Sequence, residues 1–230
     1  MPILESSREA ALAFERGKCE YTSLEFEPRA EDETMNRADV TELHYITAIA
    51  NVTSILEHGI LSHTLAAELA HDSVAMSEIQ AIRQNKQIPG ARRLHEYTNL
   101  YFDAHNAMLS RVRHHNSNIC VLQVDSGVLD LPGVIVTDRN AASSWVSFLS
   151  AEDGLNAIDR ERLFARSWKH PEDMYDEMNH KSEKCAEVLV PDRVDVGFVV
   201  GAYVANQNAS TAFQVLGTGL PVLIRGDMFF

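Results

Sequence analysis

At 230 residues the chain can form one domain with a substantial core. Its 45% apolar and 23% charged residues are those of an ordinary globular protein, and a net charge of −13 argues against nonspecific coating of nucleic acid, which needs clustered Lys and Arg. The three widely spaced cysteines, Cys19, Cys120 and Cys185, match neither a disulfide framework nor a zinc site and suit a reducing, cytoplasmic setting, while the absence of a signal-like start or a long apolar run gives no expectation of a membrane partner.

Residues 1–40 are charged and mixed, with "EPRAEDETMNRAD" the most polar part. A helix is expected over roughly 5–17, followed by a loop, and the segment reads as an N-terminal extension to a single domain over 41–230. In "ELHYITAIANVTSILEHGILSH", Leu43 to Thr47 alternates like a strand. Asn51 is placed to cap a short helix whose Val52, Ile55 and Leu56 share one side, and Gly59 ends it. Helices are expected over 64–71 and 77–85, with Gly90 breaking the pattern. "NICVLQVD" and "GVIVTD" are apolar runs bounded by turn residues, hence strands. "AIDRERLFARSW" and "PEDMYDEMNHKSEK" read as helices, the second with proline in its first turn. A strand around Glu187, another in "VGFVVGAYV", a short helix in "ASTAFQVL" and a last strand in "PVLIR" complete the chain. The elements lack regular βαβ alternation, so the expected class is α+β.

The usual motifs of chemistry are missing: no dinucleotide fingerprint, P-loop, serine elbow or metal-ligand spacing, and no metal is expected. One residue is out of keeping. In "KCAEVLVP" the strand period points Ala186, Val188 and Val190 one way and Cys185, Glu187 and Leu189 the other. An ionised carboxylate between a thiol and a leucine needs partners or a task. From the residues alone, a strand-end glutamate that reaches solvent or pairs with a lysine is a better reading than a catalytic acid.

Six segments in order, "LHYITAIANVTSILEHGILSH", "IQAIRQNKQIPGARR", "LHEYTNLYFDAHNAML", "VIVTDRNAAS", "CAEVLVPDRV" and "PVLIRGDMFF", resemble the DarT family of DNA ADP-ribosyltransferase toxins. Within it, "YFDAHNAML" and "ICVLQV…LDLPGVIVTDRNAAS" look more like the branch that modifies guanine than the one that modifies thymine. The resemblance implies an ADP-ribosyltransferase-like mixed β core with surrounding helices. It also implies an activity: NAD⁺ as co-substrate is cleaved at the nicotinamide–ribose bond, and ADP-ribose passes to a base of single-stranded DNA. The implied partner is an antitoxin that removes the modification. Glu187 then stabilises the cationic ribose, the electronic demand also met by carboxylates in glycoside hydrolysis.

By the same resemblance Arg83 orients NAD⁺ at its pyrophosphate or reacting ribose, though Arg92 or Arg93 can hold that role or bind the DNA, and a solvated helix end is the plain alternative for Arg83. His44, Thr47 and Asn51 are implied at the NAD⁺ site, with core packing and helix capping as their plain alternatives. His95, Tyr97 and Tyr101, spaced to share a strand face, are candidates to stack nicotinamide or a base, or simply to fill the core. "TDRN" (Thr137 to Asn140) looks like an active-site loop, or a turn. Ahead of Glu187, "RERLFARSWKH" offers Arg166 and Trp168 to a single-stranded substrate, or an amphipathic surface helix. Three alternatives stay open: thymine as the DNA acceptor, the same chemistry on RNA or protein, and a module that binds NAD⁺ or nucleic acid without catalysing a reaction.

Overall fold

The structure, a computed structural model, describes residues 34–230. The helix expected over 5–17 lies outside the described residues. The elements, in chain order, are β1 (Glu42–Ala48), α1 (Val52–His58), β2 (Ile60–Leu61), α2 (His63–Ala66), α3 (Ser77–Asn85), β3 (Tyr97–Tyr101), α4 (Ala107–Arg111), β4 (Ile119–Asp125), β5 (Ile135–Thr137), β6 (Phe148–Leu149), α5 (Ala151–Ala157), α6 (Arg160–Phe164), α7 (Met174–Glu183), β7 (Glu187–Pro191), β8 (Arg193–Val194), β9 (Val199–Val204), α8 (Gln207–Val215) and β10 (Val222–Ile224). The class is α+β.

One mixed sheet runs β10-β9-β4-β1-β3-β7-β5-β6, and β2 pairs with β8 apart from it. Neighbours are antiparallel except β10 and β9. The join in the middle is slight. β1 pairs with β4 from Glu42 to Ala48, and β3 pairs with β7 from Tyr97 to Tyr101, but β1 and β3 share the single pair His44↔Tyr101. Beyond that rung the two strands part, and a cleft opens between Tyr45–Ala48 and Tyr97–Leu100.

Strand alternation sorts the core as the sequence suggests. Leu43, Leu122, Val136, Ala186, Val188, Val190 and Phe213 fill one side of the sheet. The other side carries one patch with Ile46, Tyr101, Leu109 and Cys185, and a second with Ile88, Leu94, Tyr97 and Leu189. Glu187 stands between these two patches. Met35, fully buried, joins the first core, so residues ahead of β1 pack into the body.

Several expected elements are shorter, each for a local reason. The helix expected over 64–71 covers His63–Ala66 and then tightens, with Glu68 N–H on Leu65 C=O (3.3 Å) and Leu69 N–H on Ala66 C=O (3.0 Å). The helix in "AIDRERLFARSW" is confined to Arg160–Phe164: Asp159 caps it, and the carbonyls of Leu163 and Ala165 accept from Lys184 Nζ at 2.7 and 2.8 Å. Pro171 is not in the first turn of α7; Asp173 is the N-cap, accepting from Asp176 N–H at 3.0 Å. Gly59 ends α1 at φ +84, and a Cβ there would collide with the Val194 carbonyl oxygen.

Lys184 is fully buried, with Asp103 Oδ2 at 2.7 Å as its third partner. Three acceptors satisfy all three of its protons, so the charge fastens α6 and the β3–α4 loop to the approach of β7 instead of destabilising the interior.

Candidate active site

The parting of β1 and β3 produces a cleft of about 580 Å³, within the range that holds small molecules. Tyr45 and Thr47 line it from β1, Tyr97, Asn99 and Tyr101 from β3, and Arg83 from α3; Asn140 and Ser143 come from the loop after β5, and Met178, Lys181 and Ser182 from α7. Among its lining residues the formal charges are Arg83, Arg111 and Lys181 against Asp72 alone. A chain of net charge −13 thus carries a locally cationic cleft.

Beneath that lining lies Glu187, at 0% exposure the first residue of β7. Its carboxylate is fully engaged. Arg83 Nη1 donates to Oε1 at 3.1 Å and to Oε2 at 3.0 Å, and the Ala141 N–H donates to Oε1 at 2.9 Å. The strand end itself is pinned: Glu187 N–H donates to Thr137 Oγ1 at 3.0 Å, and that hydroxyl donates to the Arg139 carbonyl at 2.7 Å. Burial without partners would neutralise such an acid; here a guanidinium and a backbone N–H hold the charge in place. Arg83 is 6% exposed and spans from α3 to the sheet. Of its guanidinium nitrogens, Nη1 is committed to Glu187, so others remain for whatever enters the cleft that Arg83 lines.

The other expected residues divide into two groups. Thr47, Asn51, His95, Tyr97 and Tyr101 line the cleft with Arg83. Asn51 does not cap α1: its backbone is already helical and its side chain makes no cap bond. Its amide instead accepts from Asp72 N–H and donates to Asp72 C=O, both at 2.9 Å, and donates to Thr47 Oγ1 at 3.2 Å, which pins the 70–76 segment over the cleft. His95 is on a one-turn 3₁₀ helix rather than on β3. It stacks on His63 at 4.1 Å and bonds Gln80 Oε1 at 3.0 Å. Burial, with the charges of His63 and Arg83, lowers its pKa to about 4, so it is a neutral imidazole near pH 7. Burial and then Glu187 push the Tyr101 phenol well above its usual range, which keeps it a hydrogen-bonding, uncharged group.

His44, Arg92, Arg93, Arg166 and Trp168 do not line this cleft. His44 shares a cross-strand row with Tyr101 and Glu187, yet its ring is taken by the Phe102 carbonyl at 3.1 Å and Glu42 Oε1 at 3.2 Å, and it lines a smaller cavity of about 140 Å³. Its neighbour Tyr45 lines the main cleft instead. Arg92 is tied to Asp192 at 2.7 Å and 2.8 Å on the exposed surface. Arg93 is exposed, its backbone N–H capped by Glu96 Oε2 at 2.8 Å. Arg166 donates to the Asp227 carbonyl at 2.7 Å, and Trp168 is buried against Phe230 with ring centroids 5.7 Å apart. These last two anchor the C-terminal tail, because an indole beside cations equally suits a buried clasp.

Sequence reasoning did not find Ala141 or Lys181. Ala141 acts through its backbone, which no residue type announces, although "TDRN" marks its loop; Asn140 N–H fixes that loop to the Ser182 carbonyl at 2.9 Å.

A family model described as ssDNA thymidine ADP-ribosyltransferase, DarT, matches residues 44–230. A DNA ADP-ribosyl transferase–DNA ADP-ribosyl glycohydrolase fusion protein from Thermosipho africanus is 30% identical over 199 residues, covering 82% of this chain and 49% of the fusion. The solved structure of Thermosipho africanus DarTG in complex with ADP-ribose aligns with a TM-score of 0.70 at 27% identity, over 83% of this chain and 51% of that one. That of Thermus sp. 2.9 DarT in complex with ADP-ribosylated ssDNA aligns with a TM-score of 0.72 at 23% identity, over 84% of this chain and 97% of that one. This chain therefore spans about half the length of the fusion protein.

Proposed function

The chain belongs to the DarT family, and from that premise we propose that it transfers ADP-ribose from NAD⁺ to a base of single-stranded DNA. The observation that carries the reading is the buried Glu187 carboxylate, held by Arg83 and the Ala141 N–H directly behind a cationic cleft. In the reaction the bond from nicotinamide nitrogen to ribose breaks with its electron pair leaving on nicotinamide. Glu187 stabilises the cationic ribose left behind, and it takes the proton released when a base nitrogen bonds to that carbon. Arg83 covers the carboxylate in the structure, so its guanidinium moves aside as substrate engages, and its remaining donors suit the pyrophosphate. Neutral His95, the uncharged Tyr101 phenol and the Tyr97 ring offer stacking surfaces without opposing the developing positive charge.

The acceptor base in this proposal is guanine, favoured by the form of "YFDAHNAML" and "LDLPGVIVTDRNAAS", whereas the description of the matching family names thymidine. The partner is a glycohydrolase that removes the mark, acting as antitoxin to a toxin; the relative that joins both activities in one chain supports this pairing. The test supplies labelled NAD⁺ and single-stranded oligonucleotides lacking either guanine or thymine, followed by mass spectrometry of the digested nucleosides. Label is expected on guanine, and Glu187→Gln is expected to lower the rate by about 10²–10³-fold, the scale of one lost transition-state contact. Thymidine as the labelled nucleoside overturns the base assignment alone; no labelled DNA of any sequence overturns the activity.

A further inference from the structure

Four large apolar side chains stand exposed on two segments that contribute to the cleft lining, α7 and the loop after β5: Trp145 at 82%, Tyr175 at 87%, Met174 at 73% and Met178 at 65%. Met178 lines the cleft, and Tyr175 and Met174 lie one turn earlier on the same stripe of α7, ahead of the cleft-lining Lys181 and Ser182. Trp145 follows the cleft-lining Ser143 by two residues, on the loop whose Ala141 N–H holds Glu187. That loop is a braced strap. Ser147 N–H donates to Asp138 Oδ1 at 2.8 Å, Arg139 Nη1 to Asn179 Oδ1 at 2.5 Å, and Asn140 N–H to the Ser182 carbonyl at 2.9 Å. The last two of these contacts clamp it to α7, so the indole and the α7 stripe border one opening.

We propose that Trp145 and Tyr175, with Met178, form a platform on which bases of single-stranded DNA flanking the acceptor nucleotide stack. The inference rests on the activity proposed above and adds where its polynucleotide lies. Two observations select this occupant. The platform is continuous with the cleft that holds the reacting groups. Two cations lining that cleft, Arg111 and Lys181, supply positive charge that a phosphate chain needs in a chain whose net charge is −13. Flat side chains presented to water beside fixed cations are the means by which single strands are held without reading sequence.

The experiment uses the full chain. Of its two tryptophans the second, Trp168, is buried, so Trp168→Phe leaves an emission that reports Trp145. Single-stranded oligonucleotide is expected to quench that emission saturably, and the same sequence as a duplex is not. In the transfer assay, Trp145→Ala or Tyr175→Ala is expected to raise the oligonucleotide KM about 5- to 100-fold, the range for one lost stacking contact, with the KM for NAD⁺ unmoved. Trp145→Phe restores most of the loss. Both positions are too exposed for truncation to threaten folding, which a thermal melt checks. If the unaltered protein labels the oligonucleotide while the Trp145 emission ignores added oligonucleotide and the oligonucleotide KM ignores these substitutions, the platform is wrong and the activity stands. If the unaltered protein labels no oligonucleotide, the activity falls and the platform with it.

Discussion

A single nitrogen of Arg83 bridges both oxygens of the fully buried Glu187, and this makes the arginine structural as well as chemical. Removing one member of a buried ion pair strands the other's charge, which typically costs about 3–5 kcal/mol, far more than an exposed pair contributes. Arg83→Ala is therefore expected to lose transfer and also to lower the urea midpoint with an unchanged slope; loss of transfer at full stability is the result that would contradict this view. Glu187 was legible because a strand's period of two puts it between Cys185 and Leu189. Its partner was not, since Arg83 lies 104 positions away, in a segment that reads as a solvated helix end. Arg92, Arg93 and Arg166 carry the same residue type as Arg83, and their surroundings alone separate them. Asn51 is a related case: the residue that best signals a helix cap instead spends its amide on Asp72, because a bidentate backbone clasp offers two bonds where the cap offers one.

At the scale of elements, strands were easier to read than helices. β1, β4, β7 and β9 follow from apolar alternation bounded by turn residues, and each lies where the pattern puts it. The helix expected over 77–85 is α3, whereas the one in "AIDRERLFARSW" was overextended because the Asp159 cap and the buried Lys184 take backbone groups that would otherwise continue the turn. The split between β1 and β3 had no signal at all, since pairing partners are distant in sequence. One helix position was passed over: Gly154 in α5 faces β5 so closely that a Cβ would overlap the Val136 side chain. Gly154→Ala should gain helix propensity, worth about 1 kcal/mol, and lose about 1–3 kcal/mol to overpacking. The net expectation is a lower melting temperature. A rise would mean that α5 shifts freely on the sheet.

For the molecule as a whole, Glu42 and His95 make acid a destabilising direction. Glu42 is held at about 2 by hydrogen bonds from His44, Gln123 and Tyr203 working against partial burial. Its folded value lies below its unfolded one, so its contribution is complete above about 4.5 and is lost as pH falls through about 2. His95, lowered from 6.5 to about 4, resists the proton that the unfolded chain accepts, so its effect also erodes stability as pH falls across that window. Melting temperature should fall from pH 6.5 downward, and Glu42→Gln should flatten the lower part of the curve; an unchanged profile would remove Glu42 from this account. Finally, His44↔Tyr101 is the lone rung between two halves of the sheet. A zip closed at one tooth is a seam, and main-chain groups along its open length face whatever is lodged there. Cargo seated in that gap is thus a brace across the seam, so recognising it and stiffening the protein become one event, felt as resistance to unfolding in proportion to how fully the gap is occupied.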